Sequence, residues 1–173
     1  MRLARHAPRF AFCLALTALA GLPAMPASAQ SDAALSAPTD EMPVHLIARQ
    51  GTAEQMRQLL ASDPAMRDRA TAYGSTPLHL AAMNGDTGPL KVLLAAGAPV
   101  HARDREGATP LHMAAYASRT ANAMLLLDAG ADPRLKSNIG RDVLSMARKV
   151  QANELAGVVS LWLLKNCKAG EPC

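Results

Sequence analysis

Three histidines recur at nearly constant spacing. His45, His79 and His112 are separated by 34 and 33 residues, and imidazole is the side chain best suited to act as base, proton shuttle or metal ligand near neutral pH. Zinc binds ring nitrogens at about 2.0–2.1 Å, whereas stacked helices sit about 8–10 Å apart. Histidines placed on successive helices therefore form a ladder whose rungs cannot share an ion. His101 stands outside the series, without a nearby cysteine or an acidic ligand set, which makes it a weak metal candidate. Asp104 and Glu106 lie beside Arg103 and Arg105, where solvated ion pairs are the economical reading. No glycine-rich phosphate loop, G-x-S-x-G elbow or H-E-x-x-H helix occurs. The expectation is a protein without an active site, a bound metal or a cofactor.

The sulfur chemistry depends on the compartment. Arg2, Arg5 and Arg9 precede the apolar run Phe10–Leu22, and the small residues "ASA" at 27–29 complete the pattern of a secretory signal peptide cut after Ala29. A retained membrane anchor is the competing reading, but the run is shorter than the ~20 residues a spanning helix needs. The mature chain is thus expected in the periplasm or secreted. Without residues 1–29 it carries 15 basic and 14 acidic residues, so it has little pull towards nucleic acid. Cys13 leaves with the signal, and Cys167 and Cys173 remain in "CKAGEPC". Redox and haem-attachment motifs place two residues between their cysteines. A structural disulfide is expected here instead, contributing about 2 kcal/mol in the loop-entropy model. Thiol counting separates the readings: two unreactive sulfurs mean a bridge, reactive ones a redox pair.

The histidines belong to a longer repeat. "GSTPLHLAA" from Gly74 returns as "GATPLHMAA" from Gly107, and "VLLAAGAPV" from Val92 returns as "LLLDAGADP" from Leu125, both at an offset of 33. Weaker copies flank the pair, with "MPVHLIARQG" from Met42 and "GRDVLSMA" from Gly140. Thr76 and Thr109 suit the N-cap, where a hydroxyl can accept from a free amide, and Pro77 and Pro110 suit the first helical position. Leu90, Leu93 and Leu94 give a second helix one apolar stripe, with Pro89 in its first turn. That helix should stop at Gly97. The polar stretch up to Thr109 reads as a hairpin finger. With five aromatics in 173 residues, the core must be made of Leu, Ala, Met and Val, which favours close-packed helices.

These motifs resemble the ankyrin repeat. The family pattern of T-P-L-H-x-A-A, a following Gly, paired leucines and a G-A-D segment is met nearly throughout by 74–106 and well by 107–139. The first unit has Met42 for Thr and "SDPA" for G-A-D, and the last has Asp142, Val143 and Ser145 for Thr, Pro and His. Terminal repeats cover a core on one side only, so departures are expected there. The resemblance implies an all-α solenoid of about four helix-turn-helix units joined by hairpin fingers: 41–73, 74–106, 107–139 and 140–166, after a flexible lead-in at 30–40 and before a tail at 167–173. Trp162 is expected in the core or its cap. The resemblance also implies that His45, His79 and His112, with Thr76 and Thr109, are structural. Each ring would bond its own threonine or the neighbouring finger.

In ankyrin proteins, partners commonly meet the finger tips and the exposed side of the first helices. Register carries this onto Tyr73, Ser75, Met83 and Asn84; onto Arg103, Arg105, Glu106, Ala108, Tyr116 and Ala117; and onto Lys136, Asn138, Arg141, Arg148 and Lys149. Six of these are basic and one is acidic, in a mature chain that is nearly neutral. The expectation is a monomeric module that binds an acidic protein surface through its concave face, with no nucleic-acid partner and no stable membrane insertion. A second reading is a structural or protective protein of the cell envelope that stabilises an exported enzyme. A metal or redox enzyme would require a reactive His101 or reactive cysteines.

Overall fold

The computed structural model describes residues 41–165. The expectations for the signal peptide, the lead-in and the Cys167–Cys173 pair lie outside the described residues. Among the described residues eight α-helices follow in pairs: α1 (Pro43–Gln50) with α2 (Ala53–Ser62), α3 (Pro77–Met83) with α4 (Gly88–Ala95), α5 (Pro110–Tyr116) with α6 (Thr120–Asp128), and α7 (Val143–Lys149) with α8 (Asn153–Leu164). The first helices α1, α3, α5 and α7 pack in one row, each against the next. Among the second helices, α2 packs on α4 and α6 on α8.

The 33-residue register explains the packing. Ala81, Ala114 and Ala147 are fully buried at equivalent positions, and their small side chains let successive first helices approach closely. Leu78 and Leu111, with Val44 one residue off register, are equally buried just before each histidine. Leu93, Leu126 and Val159 repeat the pattern in the outer row. Each unit presents an apolar face that only its neighbour can cover, so stability rests on the interfaces between units.

The four first helices start by variants of one device. In α3, the Thr76 N–H donates to His79 Nδ1 (3.1 Å) and the Thr76 hydroxyl lies 2.9 Å from the same nitrogen. α5 repeats this with Thr109 and His112 at 3.2 and 2.9 Å. This is a capping box in which histidine takes the place usually held by Glu or Gln. In α1, the Met42 N–H still donates to His45 Nδ1 (3.0 Å), so the departure from threonine loses only the hydroxyl. In α7, Asp142 replaces the arrangement by accepting from the Ser145 N–H at 2.8 Å.

Helix ends are equally regular. At Gly97 (φ +78) the 97 and 98 amides turn back onto the Leu94 and Leu93 carbonyls, both at 3.0 Å. The same closure ends α5 at Ser118 (φ +55) and α7 at Gln151 (φ +60). These positions are equivalent and left-handed, yet neither holds glycine. Exchanging them for glycine removes a left-handed cost of about 1–2 kcal/mol and returns part as chain entropy. Ser118→Gly and Gln151→Gly are each expected to stabilise by about 0.5–1 kcal/mol, read as a thermal midpoint a few degrees higher. A lower midpoint for both would refute this account of the turns.

Between units, residues 71–75, 104–108 and 137–141 form equivalent turns. Thr71, Asp104 and Ser137 donate to the carbonyls of Ser75, Ala108 and Arg141 at 2.9–3.0 Å. Neighbouring turns are stitched together: Arg105 N–H donates to the Tyr73 carbonyl (3.0 Å) and Asn138 N–H to that of Glu106 (2.8 Å). The first unit differs where its sequence does. Asp63, in extended geometry, caps a 3₁₀ turn at Pro64–Asp68, and Arg67 Nη1 donates across to the Ala96 carbonyl at 2.8 Å.

Candidate functional site

The histidine ladder is fully engaged by the frame. His79 Nδ1 accepts from a backbone N–H, so it carries no proton, while Nε2 faces the Ala108 carbonyl at 3.1 Å and must donate. His112 makes the same bond to the Arg141 carbonyl at 3.1 Å, and His45 Nε2 reaches the Arg69 carbonyl at 2.7 Å. Each ring thus joins the start of one first helix to the chain entering the next. Both nitrogens are occupied in the neutral form, leaving no lone pair for a metal or a substrate. His101 Nε2 accepts from the Asp132 N–H at 3.2 Å, a link between successive loops. No group of three metal-ligating side chains comes together among the described residues.

Burial disfavours the charged form and holds the His79 and His112 rings below the ordinary histidine value, only partly offset by their carbonyl acceptors. The unfolded chain therefore takes up protons first. Stability is complete above the unfolded value of about 6.5 and falls as pH drops below it. Asp142, held low by its bonds to Ser145, acts in a separate window. Its contribution is present above the unfolded carboxylate value of about 3.9 and is lost as pH falls through the lower folded value. Thermal midpoints are expected to fall from pH 7.5 to 5.5, with a shallower slope in His79→Gln. A flat wild-type profile would contradict the assignment.

The structure sorts the surface residues by exposure and by hydrogen bonding. Tyr73 is 76% exposed and Tyr116 58% exposed. Arg105, Glu106, Lys136, Arg148 and Lys149 are exposed, while Ser75, Met83 and Arg141 are half-buried. Asn84 is a correction: it is buried, and its Nδ2 donates to the Ala48 and Gly51 carbonyls at 3.0 and 3.1 Å, closing the end of α1. Ala108 is also buried. Ala117 is half-buried at the end of α5. Asn138 and Arg103 are exposed but occupied. Asn138 Nδ2 donates to the Arg105 carbonyl (2.9 Å), and Arg103 Nη1 to the Lys136 carbonyl (3.0 Å). Trp162 is half-buried in α8, with the Arg134 guanidinium 5.6 Å from its ring.

A groove of about 930 Å³ is bordered by α1, the first finger, α3, the tip of the second finger and α5. Leu80, Met83 and Met113 provide apolar walls. Tyr73 and Arg105 stand at the fingers, and Arg49, ion-paired to Glu41, also lines the groove. Sequence reasoning missed Met113, although it shares register with Leu80 and Met146. It also missed Ile139, 67% exposed and two repeats after Tyr73. Asn122 was missed for a better reason. It is buried and donates to the Ala81, Ala82 and Asn84 carbonyls at 2.9–3.2 Å, but its register partners are Pro89 and Leu155, so no repetition marks it.

No helix among the described residues is long and apolar enough to cross a membrane. A family model described as ankyrin repeats (three copies) matches residues 31–137, more than half of the chain. The match ends before the fourth unit, whose α7–α8 pair nevertheless repeats the same packing and turn geometry. No curated protein matches the chain.

Proposed function

The chain belongs to the ankyrin-repeat family, whose repeats are generally protein–protein interaction modules, and on that premise we propose that it is an exported, non-catalytic binding protein. It holds a partner against its finger tips and first helices, the concave face of the repeat array. One observation carries this reading: the histidines and threonines of the ladder are bonded within the frame, whereas Tyr73, Tyr116 and Ile139 remain exposed on this face. Exposed apolar groups among charged ones are the composition of a binding surface.

The partner's contact surface is acidic. Arg105, Lys136, Arg148 and Lys149 are exposed on or beside this face without an ion-pair partner among the described residues, against Glu106 of opposite sign. Export is part of the proposal and rests on the pattern of residues 2–29. Charge reversal tests the whole: Arg105→Glu with Arg141→Glu should reduce crosslinked capture of the partner in intact envelopes at least tenfold, with the thermal midpoint nearly unchanged. Undiminished capture would overturn it. Exposed-surface changes such as Arg105→Glu usually alter stability by less than about 0.5 kcal/mol. Arg141 is half-buried, so the unchanged thermal midpoint is the control that lost capture does not reflect unfolding.

A further inference from the structure

We propose that the groove between the first two fingers takes a linear, extended segment of the partner, bearing two apolar side chains three residues apart and a carboxylate beside them. The inference rests on the binding role argued above and narrows it from an acidic surface to an acidic peptide with apolar anchors. The groove crosses the row of first helices, so its apolar seats come from successive units: Leu80 with Met83 on α3, and Met113 on α5. Leu80 and Met113 are equivalent by the 33-residue register, which puts the two seats one helix spacing apart, about 8–10 Å.

An extended chain in the polyproline II form rises about 3.1 Å per residue with three residues per turn. It therefore returns a side chain to the same face every 9 Å or so, which matches the seats. A helical segment laid crosswise would bring anchors round about every 5.4 Å, or about 10.8 Å over two turns, one too short and the other too long for the seats. Methionines suit such seats, because an unbranched thioether adapts to side chains of different shape. The charged requirement comes from the rim. Arg49 is already paired with Glu41, whereas Arg105 is exposed with no carboxylate in ion-pair reach among the described residues. A groove with an apolar floor and an unpaired guanidinium at its edge selects an anchor flanked by Asp or Glu.

The test is selection of a displayed library of random twelve-residue peptides on the full-length chain. The expected consensus is apolar-x-x-apolar with an adjacent acid. Met83→Asp should weaken a synthetic consensus peptide at least tenfold in fluorescence anisotropy. Arg105→Glu should do the same, and should bind better when the peptide's acid is exchanged for lysine. Circular dichroism melts within two or so degrees of wild type show that both variants fold. Selection without the spacing, a consensus of basic residues, or binding indifferent to Met83→Asp would overturn the inference. If charge reversal still abolishes crosslinked capture, only the peptide inference has failed. If capture is unaffected by charge reversal, the binding role itself has failed.

Discussion

Replacing His79 with leucine is expected to cost about 2–4 kcal/mol of unfolding free energy, although leucine is the more apolar residue and the site is fully buried. The cost follows from what the ring leaves behind. The Thr76 N–H, at the first turn of α3, loses its acceptor, and an orphaned buried donor costs about 1–3 kcal/mol. The Ala108 carbonyl still accepts from Asp104 N–H at 3.0 Å, so its loss is partial. The bond between Nε2 and Ala108 also joins repeat 2 to repeat 3, and in a stacked array such interface terms carry cooperativity. Urea melts should therefore show both a lower midpoint and a shallower slope. Glutamine can restore the capping box but cannot also reach Ala108, so His79→Gln should recover about half of the loss. A leucine variant within 1 kcal/mol or so of wild type would mean that the histidine is not a joint between repeats.

The sequence displayed most of this frame because the frame repeats. His79 and His112, their threonines and the turns at 74 and 107 were readable from two aligned copies, and the energetic reason is that the same interface must be solved at each step. The surface was harder. Asn84 looked like a variable, exposed neighbour of the motif, yet its amide closes the preceding helix. Asn122 does a similar task from a position with no repeat partner, so nothing in one sequence announces it. Met113 is instructive in the opposite sense, since its register with Leu80 was visible, but only the spacing of helices and fingers reveals that both line one groove. Repetition identifies residues that hold the array together. Which of the remaining side chains are free to bind depends on hydrogen bonds to other units. Those from Asn84 to Gly51, Arg103 to Lys136 and Asn138 to Arg105 each span one repeat length, but their donors sit at three different register positions, so repetition does not mark them.

Gly107→Ala should destabilise the protein by about 2–4 kcal/mol, and Gly140→Ala by less. The two glycines occupy equivalent turns with nearly equal conformations, φ +71 and +74, so the left-handed strain imposed by a Cβ, about 1–2 kcal/mol, is common to both. Their surroundings differ. A Cβ on residue 107 would lie 2.9 Å from the Asn138 backbone nitrogen and closer still to its side-chain oxygen, whereas one on residue 140 meets nothing within 4 Å. The backbone approach at 107 is the contact that stitches the second finger to the third. Relief of the clash must lengthen the Asn138–Glu106 bond of 2.8 Å and the Asn138–Arg105 bond of 2.9 Å. Arg105, at the edge of the groove, shares this joint, so Gly107→Ala should weaken partner capture as well as stability, while Gly140→Ala should change stability alone. Equal stability losses in the two variants, measured by chemical denaturation, would show that the fingers are not held by this close approach.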